Sequence, residues 1–251
     1  MIRSFTIKLF SLALLLLVIA CKSPLSEGNL NDLSAIDVRI EISQDLTNKK
    51  KNEVTVFLYD KDGKPIRNKS IKMKVNDTDL VYTERQELYY TTTSKYSASD
   101  VPVEKEYNFQ ITLSNGKSYF LGRIAPLAES REKDIICDEK GDFDKDFVVS
   151  WKNLRDIDEL SIMKSVLLST STKTQQNYDS EPEVTKKIGS SGVYIIPKSG
   201  YITSKSTISD AEIRFNALKL GTMNPQLLEG SEIKIFGHID RYIDFEEQNK
   251  K

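Results

Sequence analysis

Ile36, Val38, Ile40 and Ile42 alternate with Asp37, Arg39 and Glu41. Successive side chains of an extended chain point to opposite faces, so this spacing builds one apolar and one wet face, the signature of a half-buried strand. The pattern recurs at Val54, Val56 and Leu58, at Ile71, Met73 and Val75, and at Tyr107, Phe109, Ile111 and Leu113. Asp60-Lys61-Asp62-Gly63 and Ser114-Asn115-Gly116-Lys117 separate such runs. Asp-Gly and Asn-Gly tolerate the positive φ of tight hairpins. Residues 35–127 therefore predict an antiparallel β-sandwich of about seven strands.

Alternation fails over residues 128–145, where SREKD and CDEKGDFDKD are dense in charge, and this stretch reads as a linker. It resumes at Phe147, Val149 and Trp151, and residues 146–246 predict a second sandwich, with 247–251 as a tail. Within it, 160–168 reads as a strand or two, 170–187 as a long polar loop, and 192–196 as a short strand stopped by Pro197. Residues 211–220 and 232–245 read as long strands. In the last, Ile233, Ile235, Ile239, Ile243 and Phe245 share one face, with Arg241 the exception. No amphipathic helix of three turns is expected after residue 20.

The chain opens with Arg3 and Lys8 and no acid, followed by 12 residues, 9–20, that are apolar apart from Ser11. A membrane-spanning helix needs roughly 20 residues, whereas this length suits the central region of a secretory signal. Val18-Ile19-Ala20-Cys21 resembles the lipobox of bacterial lipoproteins. The resemblance implies cleavage before Cys21, a diacylglyceryl group on its sulfur, and a second acylation at the new amino terminus. Residues 1–20 are then a signal peptide and 21–34 a flexible tether. Each buried methylene contributes about 0.8 kcal/mol, so more than one acyl chain anchors durably. The expected location is the cell envelope, with the membrane as partner through lipidated Cys21. Lys22 replaces the Asp that holds enteric lipoproteins at the inner membrane, which favours the outer membrane. Glu27 is the one acid close behind the cysteine, so the periplasmic and surface faces stay open.

Removing 1–20 takes Arg3 and Lys8 from the 36 basic side chains, leaving 34 against 37 acidic, a net of −3. That leaves no basic excess for nucleic acid. Of the two cysteines, acylation of Cys21 leaves Cys137 without a disulfide partner. Following Ile135-Ile136, Cys137 reads as a small buried hydrophobe.

Val54-Thr-Val-Phe-Leu-Tyr-Asp-Lys-Asp-Gly-Lys-Pro-Ile66 resembles the opening of immunoglobulin-like or transthyretin-like modules of bacterial surface proteins, and Glu106-Tyr-Asn-Phe-Gln-Ile-Thr-Leu-Ser-Asn-Gly-Lys117 a later hairpin of them. Phe147-Val-Val-Ser-Trp151 resembles the Trp-bearing strand of immunoglobulin and fibronectin type III sandwiches, without the paired cysteines of antibody domains. The layout as a whole resembles lipoproteins of Bacteroidota, often non-catalytic binding modules. The expected fold is all-β, two antiparallel immunoglobulin-like sandwiches behind a lipoprotein signal peptide.

Candidate chemistry is sparse. Asp142, Asp144 and Asp146 would line one side of an extended chain, and calcium takes about six to eight oxygen ligands. Phe147 stands where an EF-hand has glycine, and Asn153 where it has glutamate. A solvated acidic linker is the alternative, and no other cofactor is expected. Asp60 and Asp62 ahead of Gly63 make a turn, since Ile71 would occupy the calcium loop's last position. Tyr82, Tyr89, Tyr90 and Tyr96 crowd one stretch. Tyrosine faces pack on sugar rings and at protein interfaces, and the alternative is that these are strand residues, half of them core. Trp151 belongs to the second core. The single histidine, His238, lies on the face opposite the isoleucines and is expected at an exposed position, and no Gly-x-Ser-x-Gly elbow is present. A glycosidase would need two carboxyls about 5–10 Å apart across a cleft. The expected role is a lipid-anchored, non-enzymatic binder of a partner protein or glycan, or an accessory subunit of a surface assembly. An envelope-polymer hydrolase and a structural spacer are the alternatives.

Overall fold

The computed structural model describes residues 24–26, 30–48, 51–86, 92–172 and 174–245. The expected signal peptide, Cys21, Tyr89 and Tyr90 lie outside the described residues. The chain is all-β. Among the described residues, helical geometry is confined to three-residue 3-10 turns such as Leu33–Ala35 and Glu132–Asp134, and no helix is long and apolar enough to cross a membrane.

The strands are β1 (Asp37–Ser43), β2 (Glu53–Tyr59), β3 (Lys72–Val75), β4 (Thr78–Gln86), β5 (Thr92–Ala98), β6 (Tyr107–Thr112), β7 (Ser118–Ile124) and β8 (Ile135–Ile136). They continue as β9 (Phe147–Trp151), β10 (Ile157–Leu168), β11 (Tyr178–Ser180), β12 (Val184–Lys187), β13 (Gly192–Ile196), β14 (Ser206–Leu220), β15 (Thr222–Met223) and β16 (Glu232–Asp244). They form two compact units, each built from discontinuous segments. The first takes the described residues up to Ile42, Asn52–Pro126 and Leu220–Lys234. The second takes Ser43–Lys51, Leu127–Lys219 and the described residues from Ile235 on.

In the first unit the strand order is β1-β2-β5-β4-β3-β6-β7-β15. β4 turns the corner: residues 78–80 pair with β3 and residues 81–86 with β5. One strand thus serves two sheets, whose apolar faces close on each other. Val38, Ile40, Val54, Val56 and Leu58 come from one sheet, and Met73, Val75, Phe109, Ile111 and Leu121 from the other; all are buried. Burying one such side chain is worth about 1.5–3 kcal/mol. The turns form where Gly was expected to permit them: Gly63 has φ 72° and Gly116 φ 80°. At the first turn Asp60 Oδ1 accepts from the backbone N–H groups of Asp62 and Lys64, both at 2.9 Å.

The second unit holds β10, β14 and β16 in that order, with β11 and β12 both on the outer edge of β10, and a three-stranded sheet ordered β13-β9-β8. Leu160, Ile162, Ile213, Phe215, Ile235 and Ile239 are buried, as are Phe147, Val149 and Trp151 of β9. Trp151 meets Phe215 at 5.6 Å between ring centroids and 70° between planes, and its Nε1 donates to the Gly189 carbonyl at 3.0 Å. That places Trp151 in the second core.

Three readings are corrected. Residues 170–187, expected as a loop, contain β11 and β12. Every side chain of these two strands is exposed, so no alternation of polarity marks them. Cys137 is half-buried, not buried: it follows β8, whose Ile135 points inward and Ile136 outward. Residues 142–146 form a turn and not an extended run, with Asp144 N donating to Asp142 Oδ1 at 2.9 Å. Phe143 fixes this turn by packing edge-on against Tyr201 at 5.9 Å and Phe245 at 6.1 Å.

Candidate functional site

The second unit carries a cleft of about 340 Å³ lined by Ser43, Gln44, Asp45, Thr47, Lys51, Glu132 and the run His238–Arg241. Three stretches far apart in sequence supply these groups. Gln44 N donates to the Phe236 carbonyl at 2.8 Å, which places 43–47 beside β16. Alternation along β16 turns His238 and Asp240 away from the core, while Ile239 is buried.

Asp45, Asp240 and Arg241 are each held by a neighbour. Asp45 Oδ1 accepts from Thr47 N at 2.8 Å, Thr47 Oγ1 at 2.8 Å and Asn48 N at 3.0 Å. Burial opposes the charge on Asp45, but those bonds outweigh it and hold the carboxyl below its ordinary value. Arg214 Nε meets Asp240 Oδ1 at 2.9 Å and its NH2 meets Glu212 at 2.7 Å. The other Asp240 oxygen lies 3.5 Å from His238 Nε2, too far for a strong hydrogen bond. Arg241 donates to the Asp240 carbonyl at 2.9 Å and to the Glu132 carbonyl at 2.7 Å. The cleft therefore offers an ammonium, an imidazole and a guanidinium beside three carboxylates, on β16, the segment after β1 and the Glu132–Asp134 turn. That array suits a ligand rich in both donors and acceptors. Asp240 is committed to Arg214, so it does not orient His238 in the manner of a catalytic triad.

A second cleft of the same unit, about 590 Å³, is lined by Glu129, Arg131, Asp134, Asn153, Arg155 and Ser190. Arg131 clamps the buried Asp134 with bonds of 2.9 and 3.1 Å. Asn153 adopts φ 58° beside it.

The tyrosines expected to recognise a ligand divide. Tyr82 and Tyr96 are cross-strand partners with rings 5.2 Å apart. Tyr96 is buried and donates to the Asn68 carbonyl at 2.9 Å. Tyr82 is half-buried and donates to Glu84 at 3.2 Å; burial and then the Glu84 charge push its phenol up to about 12. The acidic triplet is not brought together. Asp142 caps its own turn, while Asp146 Oδ1 accepts from Lys198 N at 2.8 Å. Among the described residues no group of three or more His, Cys, Asp or Glu side chains is placed to hold a metal ion. His238 was singled out in the sequence; Asp45, Lys51 and Glu132 were not. The one local cue is Asp45-Leu46-Thr47, a pattern in which Asp bonds the backbone two residues on.

No protein-family model matches the chain, and no curated protein does. Among solved structures it is similar to the Yersinia pseudotuberculosis adhesin InvE, at 9% identity and a TM-score of 0.25, over 87% of this chain and 60% of that one. It is also similar to SGBP-B of the Bacteroides ovatus mixed-linkage glucan utilization locus, solved with a mixed-linkage heptasaccharide. Here the identity is 11% and the TM-score 0.16, over 88% of this chain and 65% of that one. The chain thus spans less than two thirds of either structure. Scores this low assign it no role.

Proposed function

We propose that this chain is a lipid-anchored, non-enzymatic protein of the cell envelope that binds a glycan or a partner protein in the cleft formed by Ser43–Asp45, Thr47, Lys51, Glu132 and His238–Arg241. The observation that carries the reading is the bracing of that cleft. Asp45, Asp240 and Arg241 are each fixed by hydrogen bonds within the second unit, so a ligand meets donors and acceptors already in place and less ordering entropy is lost on binding. Lys51 and His238 reach the cleft as well, and neither is clamped as Arg241 is. Attachment to the membrane rests on the lipobox at 18–21, and on residue 21 as the first residue of the mature chain.

The test is a titration of the detergent-solubilised full chain against a panel of neutral and acidic envelope oligosaccharides and against solubilised envelope proteins. Saturable binding that weakens at least tenfold in Lys51→Ala and His238→Ala, with an unchanged unfolding midpoint, supports the reading. Binding untouched by both substitutions overturns the site. Oligosaccharide cleaved during the titration overturns the non-enzymatic role.

A further inference from the structure

The sheet β13-β9-β8 presents an uncovered apolar face. Ile136 is 59% exposed, Val148 49%, Val193 60% and Ile195 50%. The pairings Ile136↔Ser150, Val193↔Ser150 and Ile195↔Val148 put all four on one side of the sheet. Beside this face runs a free edge. β13 pairs with β9 through five consecutive antiparallel positions without a bulge, and no described strand pairs with its other side.

Proteins normally protect such an edge with charge, shortness or a bulge, because its unpaired N–H and C=O groups recruit further strands. The other outer strands here are protected. β12 carries Lys186 and Lys187, β11 carries Asp179, and β8 and β15 are two residues long. β13, Gly192-Val-Tyr-Ile-Ile196, carries no charge at all.

We infer that the free edge of β13 pairs with β13 of a second copy of this chain, antiparallel and about a two-fold axis at Tyr194. The strand is complementary to itself in that register. Val193 falls opposite Ile195 of the copy, on the exposed face, so each finds an apolar cross-strand neighbour. Gly192 falls opposite Ile196, a small residue against a large one. Ser190 falls opposite Lys198, and the Lys186 ammonium lies over the Tyr194 ring, 5.3 Å from its centroid. An isologous contact of this kind closes on itself and stops at two copies. The face alone does not make the interface: four side chains fall short of the roughly 800 Å² per partner of a stable face-to-face contact, so the backbone edge must contribute.

The test is cysteine cross-linking of full chains in their own membranes, in a Cys137→Ser background. Val193→Cys co-expressed with Ile195→Cys should give, on mild oxidation, a disulfide-linked species of twice the chain's mass. Ile136→Cys, equally exposed but two strands away, should give none. Adding Ile195→Lys to a Val193→Cys chain should abolish the adduct. Circular dichroism of each variant checks that the exposed substitutions leave the fold intact. Equal cross-linking at position 136 means random collision and overturns the proposal. So does absence of any adduct, and so does an adduct with a chain of different mass, which would mean a strand from another protein.

Discussion

The side chain of Gln44 pairs with the backbone of Leu127 as if it were a neighbouring strand. Its Nε2 donates to the Leu127 carbonyl at 2.9 Å and its Oε1 accepts from the Leu127 N–H at 2.9 Å, with both residues buried. Gln44→Ala leaves a donor and an acceptor without partners in the interior, so a loss of about 2–4 kcal/mol in urea unfolding is expected. Gln44→Glu keeps the acceptor but turns a lone pair towards the carbonyl. Its deficit should therefore shrink as pH falls and the carboxyl regains a proton.

Gly141 sits where a Cβ would strike the Phe245 ring. Gly141→Ala should push the acidic turn off the aromatic cluster and cost about 1–3 kcal/mol. A matching loss of near-ultraviolet ellipticity from Phe143 and Tyr201 would locate the damage.

Tyr107 is buried, and its hydroxyl has no partner among the described residues. Tyr107→Phe should therefore leave stability at pH 7 unchanged or raise it by up to about 1 kcal/mol. The same residue bears on alkaline behaviour. Burial, then the Glu104 charge, pushes the Tyr107 phenol from 10.0 up to about 12, and burial pushes the Cys137 thiol from 9.0 up to about 11. Both folded groups keep their protons where the unfolded chain has lost them, so folding stability falls as pH rises. The part of the decline that these two groups contribute should begin near pH 9, steepen past 10 and end near 12. Tyr107→Phe should flatten its upper part in unfolding curves taken across that range. Iodoacetamide should label native Cys137 slowly at pH 8 and fast once urea unfolds the chain.

Asp240 is partly exposed, and Arg214 keeps Glu212 when Asp240 is gone. Asp240→Asn should cost no more than about 1 kcal/mol in stability. If the cleft binds as proposed, ligand affinity in calorimetric titration should fall far more than that figure implies.

Cys21→Ser should abolish incorporation of a fatty-acid probe and release the chain from washed membranes, since a run of 12 apolar residues is too short to hold it there alone. A variant that is still labelled would place the acyl group elsewhere.

Much of the strand content was legible because period-two patterning is local. Ile36 to Ile42, Tyr107 to Leu113 and the Gly63 and Gly116 turns each announce themselves within ten residues. β11 and β12 did not, because strands with every side chain in water carry no alternation to read. Of the cleft, only the exposure of His238 was legible, not a role for it. Asp45 and Glu132 reach it through the pairing of distant segments, and nothing near either residue in the sequence encodes that encounter. The acidic run 142–146 shows the same limit: its local pattern suits an extended chain, whereas Phe143 and an Asp142 cap fold it into a turn.

The interleaving of segments between the two units also fixes when each can be completed. β16 supplies residues 232–234 to the first and 235–244 to the second. A nascent chain halted at Gly230 would hold neither in finished form, however much had already emerged. Both units draw on β16, so neither is complete before that strand is made.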